Sequence, residues 1–283
     1  MQKSSNSLLH FTKNLEVIIK ILEDKFYGSY CIESFQYQNL SYYLPVPKIS
    51  FCDIPEETIR QYTHYGKYCI GLSKEWGKRN QLNPVLYIER NSSIAKSFIT
   101  AYKGTDAGVH LVNKSVEELT ILFNRMKSDD SLGLEEKDNM NRSIEEMLDR
   151  IEALGKIVTF GQYMPFYVKP YEADLIRKDE TTLNYRFYDE REWCFVPSEL
   201  QTSNEHYMTC EQFNIWREKD ENRKKPLLKK VALSFDFNDI THLIVENEVD
   251  LVNLKSAIDK ISSPLITEKS KNHLKSIITI FGR

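Results

Sequence analysis

The chain opens on an apolar run, Leu8-Leu9-His10-Phe11, followed by apolar positions three and four apart at Leu15, Ile18, Ile19 and Leu22. The run reads as a strand and the spaced pattern as a helix with one buried face. Thr12, between them, offers a hydroxyl to cap that helix. The same step recurs. Lys48-Ile49-Ser50-Phe51-Cys52 predicts a strand, and Asp53 and Glu56 then stand at capping-box spacing with Pro55 in the first turn. The helix they open carries Ile59, Tyr62 and Tyr65 and ends at Gly66, suited to a left-handed cap. Tyr68-Cys69-Ile70-Gly71-Leu72 predicts a buried strand, Ser73 opens a short helix through Trp76, and Val85-Leu86-Tyr87-Ile88 after Pro84 predicts another strand.

In the middle of the chain the period lengthens. Ile94, Phe98 and Tyr102 predict a helix that stops before Gly104, and Ser115 with Glu118 caps a second one carrying Leu119, Leu122, Phe123 and Met126. A polar break from Ser128 to Met140 precedes a third, with Ile144, Met147, Leu148, Ile151 and Leu154 on one face. Residues 115–155 therefore read as a helical insertion. Strand patterns return at Ile157–Phe160, Met164–Val168 and Tyr185–Val196, and in the alternation of Val231, Leu233, Phe235 and Phe237. Leu251, Leu254, Ile258 and Ile261 form one C-terminal helix, Pro264 stops it, and Leu274, Ile277, Ile278 and Phe281 form the last. Without a regular strand-helix-strand alternation, the expectation is an α+β fold: one mixed-sheet domain over residues 1–283.

Composition narrows the function classes. With 38 Lys plus Arg against 41 Asp plus Glu, the net charge of −3 gives no general attraction to phosphate backbones, which speaks against nucleic acid as a partner except as a target of modification. No stretch approaches 18 consecutive apolar residues and Met1–Ser7 is polar, so neither a membrane span nor a signal core is expected. Five scattered cysteines suit buried thiols in a reducing compartment, and a cytoplasmic protein is expected. Cys194, His206 and Cys210 supply at most three zinc ligands without a CxxC pair, so no metal is expected.

Candidate chemistry is concentrated in Tyr188-Asp189-Glu190-Arg191-Glu192-Trp193-Cys194-Phe195. On a strand, Glu190 and Glu192 face the same way about 7 Å apart. Such a pair can raise one another's pKa or stabilise an oxocarbenium-like cation. A solvated strand end, with Trp193 and Phe195 in the core, accounts for the same spacing. His10 can hydrogen-bond a ligand ribose or act as acid or base, or serve as a core histidine. Tyr62, His64, Tyr65 and Tyr68 can stack a planar base or simply pack. Asp53 is a turn and cap signal first. Arg217–Lys230, with seven basic residues, reads as a solvated loop or a docking surface for an acidic partner. No P-loop, dinucleotide-binding, zincin or nucleophile-elbow motif occurs.

Ser7-Leu8-Leu9-His10-Phe11-Thr12, Ile49-Ser50-Phe51-Cys52-Asp53-Ile54-Pro55, the run from Tyr65-Gly66-Lys67-Tyr68 to Trp76-Gly77, and Asn83-Pro84-Val85-Leu86-Tyr87-Ile88 together resemble the AbiGi family of abortive-infection proteins. That family belongs to bacterial phage-resistance operons and is described as the antitoxin partner. More distantly, His10-Phe11-Thr12 and Glu190-Arg191-Glu192-Trp193 are similar to ADP-ribosyltransferase-like folds of the DarT type. That second resemblance implies NAD as cofactor, with His10 on the nicotinamide-side ribose and Thr12 beside it. It makes Tyr68 the aromatic member, in competition with Tyr65 and Ser73. Glu192 would stabilise the cation formed as nicotinamide leaves, with Glu190 as auxiliary acid. The DarT-type arginine motif is absent near the front. Two functions follow from the resemblances: an NAD-using effector that modifies a macromolecule, or a non-catalytic antitoxin that binds an operon-encoded partner.

Overall fold

The structure is a computed structural model that describes residues 5–176, 181–197, 211, 213–215, 231–262 and 266–282. At the front, β1 (Ser7–Thr12) leads into α1 (Leu15–Glu23). The cap of α1 is Asn14, whose side chain accepts the Val17 N–H, while the Thr12 hydroxyl donates to the Asn14 carbonyl. Next come β2 (Phe26–Tyr27), β3 (Ser29–Tyr37) and β4 (Leu40–Cys52), so the strand expected at 48–52 is the end of a longer one. Residues 56–65 form a 3-10 helix. The Asp53 carboxylate, expected to cap it, pairs instead with Lys74 at 2.6 Å. Gly66 takes φ +117°, and a Cβ there would lie 1.8 Å from the Thr12 carbonyl oxygen, so only glycine fits the turn into β5 (Tyr68–Ser73). Ser73 caps α2 (Lys74–Arg79), followed by β6 (Asn83–Pro84) and β7 (Leu86–Ile88).

The middle of the chain departs most from expectation. Two long helices, α3 (Ser93–Ser128) and α4 (Leu134–Tyr163), replace three short ones and a strand. Gly104 does not stop α3: a Cβ there would meet nothing within 4 Å, so it lies on an open side and costs only about 1 kcal/mol relative to alanine. Ile157-Val158-Thr159 favours a strand by its β-branched side chains, yet Val158 packs at Gly108 of α3 while Gly155 and Gly161 approach Val112 and Thr105. Helix pairing overrides local preference here.

The chain then forms β8 (Val168–Pro170), β9 (Ala173–Ile176), β10 (Thr181–Tyr185) and β11 (Glu192–Phe195). The strand expected across 185–196 is interrupted by a 3-10 turn, Phe187–Glu190, and by Arg191 in the left-handed region at φ 45°. The alternation from Val231 yields only β12 (Ala232–Leu233) before a 3-10 turn at Phe237–Asp239. β13 (Ile240–Val245), α5 (Glu248–Lys260), α6 (Glu268–Ser276) and β14 (Ile278–Ile280) close the described chain, with β14 formed by residues expected to end a helix. The principal sheet runs β14-β13-β5-β1-β4-β11-β6, with β3 also on β4, and it is mixed: β13 and β14 pair in parallel and the other registered pairs are antiparallel.

The chain divides into two compact units. The first holds residues 1–34, 43–89 and 167–283. On one face of its sheet Leu8, Phe51, Ile70, Leu72 and Trp76 pack with Ile18 and Leu22 of α1, Leu254 of α5 and Leu274 of α6. On the other face Leu9 and Cys69 meet Ile54, Ile59 and Ile244. The second unit holds residues 35–42 and 90–166, where Phe98 packs edge-on against Phe35 and Tyr42. Arg217–Lys230, His206, Cys210 and Pro264 lie outside the described residues. Among the described residues no helix is long and apolar enough to cross a membrane.

Candidate functional site

Register decides which chemistry meets. Leu9 of β1 and Glu192 of β11 both lie opposite Cys52 of β4, and directly opposed residues share a face. Glu192, Cys52 and Leu9 therefore form one row, and Lys48, four residues before Cys52, joins their side of β4. His10 follows Leu9 and so points through the other face, where its ring sits 5.3 Å from Phe26 and 5.4 Å from Phe51. Thr12 and Tyr68 are direct partners and share the His10 face. The Tyr68 hydroxyl donates to Asp250 at 2.8 Å and reaches Glu246 at 3.3 Å.

The carboxylates belong to a buried ionic network. Lys48 Nζ lies 2.8 Å from Glu192 Oε1 and also pairs with Glu33. Lys169 of β8 pairs with the other Glu192 oxygen and lies 3.8 Å from Glu190. Tyr65, at the end of the 3-10 helix, donates its hydroxyl to Glu190, which also bonds to Tyr185. The Glu192 backbone N–H donates to the Tyr87 hydroxyl at 2.8 Å. Lys48, Glu33, Glu190 and Glu192 are each no more than 6% exposed. The expected solvated strand end is thus a buried site. The two glutamates converge on Lys169 because a left-handed residue follows a 3-10 turn, not because one strand carries both.

Burial alone would raise the Glu192 pKa, but Lys169 and Lys48 outweigh it and hold the carboxyl far below its ordinary range. Burial likewise works against the Lys48 charge and is overcome by Glu192 and Glu33, leaving that ammonium more strongly protonated than usual. Glu190 is pushed up, first by burial and then by Glu192, against the pull of Lys169. His10 is pushed down by burial, partly offset by its 2.8 Å hydrogen bond to the Ser50 carbonyl. The ADP-ribosyl arrangement needs a carboxylate oxygen facing a developing cation. Here both Glu192 oxygens are held by ammonium groups, whose positive charges oppose such a cation.

Of the residues singled out, the structure brings Tyr65, Glu190 and Glu192 together and sets His10, Thr12 and Tyr68 on the opposite face. Sequence reasoning missed Glu33, Lys48, Lys169, Tyr87 and Tyr185 as members of the site. One signal was present: Lys48 is the single charge in the run Tyr43–Cys52, and a cation there needs buried acids. Among the described residues no group of three or more His, Cys, Asp or Glu is placed to hold a metal ion. Among the described residues Cys31, Cys52, Cys69 and Cys194 form no disulfide, and each thiol is pushed above its ordinary pKa chiefly by burial.

Residues 24–246 match the family model described as "Putative abortive phage resistance protein AbiGi, antitoxin". The matched span takes in the whole ionic network and begins after His10 and Thr12. The chain is also similar to the "Abortive phage resistance protein AbiGi" of Lactococcus lactis subsp. cremoris, at 23% identity over 228 residues, covering 76% of this chain and 77% of that relative. No solved structure matches. Neither description mentions ADP-ribosylation. A match over most of the chain, including every member of the buried network, places this protein in the AbiGi family of abortive phage resistance proteins.

Proposed function

We propose that the chain serves abortive phage resistance as an antitoxin that neutralises an operon-encoded toxin by binding it, with no catalytic step at Glu192. The observation that carries this reading is the clamping of Glu192 between Lys48 and Lys169, on the sheet face opposite His10. Each Glu192 oxygen is ion-paired to an ammonium group of the chain itself, as in a network that holds a binding scaffold together. The family description as an antitoxin supports the same reading.

The test co-expresses the tagged chain with the product of the neighbouring gene. Retention of that product at micromolar concentration, with growth restored to cells that express it, is the expected outcome. Absence of both overturns the proposal. NAD consumption by the purified chain, alone and with its partner, should stay at the buffer blank. NAD turnover that disappears in Glu192→Gln would return the site to catalysis and sink the binding reading.

A further inference from the structure

The hairpin of α3 and α4 is long for its core. Only Ala95, Ile99, Thr105 and Met126 of α3 and Ile144 of α4 are fully buried. Leu111, Leu122, Met147, Leu154 and Ile157 remain between 44 and 67% exposed. Their positions follow a rule. Leu111, Leu122, Leu154 and Ile157 each stand one residue before a half-buried seam position, namely Val112, Phe123, Gly155 and Val158. Met147 stands seven residues before Leu154. One residue is a rotation of about 100°, always in the same sense. In an antiparallel pair, that rotation from the facing line lands on the same side of both helices, so the five side chains form one apolar face.

The packing of Gly108 on Val158, Gly155 on Val112 and Gly161 on Thr105 fixes the level of each residue along the hairpin. Leu111 falls level with the turn Leu154–Ile157, and Leu122 falls near the level of Met147. Glu118 falls level with Arg150, and these two opposite charges lie between the two apolar levels. Both are exposed and make only loose 3.7 Å pairs within their own helices, with Lys114 and Glu146. The face is therefore complementary to itself. A two-fold axis along the hairpin lays α3 of one copy on α4 of the other, leucine over leucine and Glu118 over Arg150 in both directions. Thirty residues of helix pair offer a face about 45 Å by 20 Å, of the size at which a stable interface buries about 800 Å² per partner.

We propose that this face of the α3–α4 hairpin is the interface of a homodimer, a four-helix bundle closed by Leu111, Leu122, Met147, Leu154 and Ile157 with Glu118 crossing to Arg150 of the second copy. The test is sedimentation equilibrium of the full chain, without its toxin, from about 1 to about 100 μM. A dimer is expected, with Leu154→Glu/Ile157→Glu weakening it about tenfold or more at unchanged helical circular dichroism. Because a paired substitution can unfold a hairpin, the charges on the same face supply a second arm. Glu118→Arg alone should weaken the dimer, and Glu118→Arg/Arg150→Glu should restore it. A monomer throughout the range overturns the proposal, as does a dimer indifferent to both sets of variants. A monomeric chain whose toxin retention is lost in Leu154→Glu would assign the face to the toxin and equally overturn it.

Discussion

On β1, Leu8 and His10 face the helices while Leu9 faces the other way; on β4, Ile49 and Phe51 face the helices while Lys48 and Cys52 face the other way. The same strands thus build two faces held by different physics. The helix-covered face is apolar, with Phe26, Phe51 and Trp76 in ring contact and the Trp76 indole N–H satisfied by the Ser234 carbonyl at 3.0 Å. Among the described residues the opposite face joins a smaller apolar cluster around Leu9, Ile54 and Cys69 to three carboxylates and two ammonium groups. Apolar packing is built from many small contacts and loses them one at a time. A buried ionic network depends on every member being present, because removing one leaves its partners charged and desolvated.

That difference predicts an order of damage. Lys48→Met should be the most harmful single change, about 3–5 kcal/mol, because Glu33 and Glu192 both lose their shared cation. Adding Glu33→Leu should recover part of the loss, and a double-mutant cycle in urea reads that coupling directly. An additive pair would show that Lys48 is merely space-filling. On the apolar face Leu8→Ala should cost about 2–5 kcal/mol, and no second substitution among its charged neighbours should rescue it. Gly66→Ala, at the turn from the 3-10 helix into β5, should cost about 1–3 kcal/mol through its positive φ and the Thr12 carbonyl, seen as a lowered urea midpoint.

Acidity separates the two glutamates. Glu192 has a folded pKa below its ordinary 4.5, so its contribution to stability is present above the unfolded value and is lost as pH falls below it. Glu190 has a folded pKa above 4.5, so its contribution is full below the unfolded value and drains away as pH rises through it toward the folded one. Urea titrations from about pH 3 to about pH 7 should show Glu192→Gln flattening the acid-side loss and Glu190→Gln flattening the opposite slope. Identical profiles for the two variants would break the assignment. The smallest effect belongs to the second unit's surface: deleting the exposed Glu152–Lys156 pair should change stability by less than about 0.5 kcal/mol.

Much of the first unit's order was legible. Ser73 as a cap, Gly66 as a left-handed stop, and the strands through Leu8 and Ile70 follow from local rules that need no partner. The sequence alone also marked Glu190, Glu192 and Tyr65 and carried the family resemblance. It did not reveal that α3 runs through Gly104 or that Ile157–Phe160 is helical, because both depend on what the opposite helix offers. Nor did it show that Glu192 lies between two lysines, one 144 and the other 23 residues away, or that His10 looks out through the opposite face. Which side a strand residue takes follows from its neighbours in the chain, but which side chains it meets there is set by register between distant segments. Burial then decides what those meetings cost, and so only the folded chain converts a pair of acids into a locked ionic network.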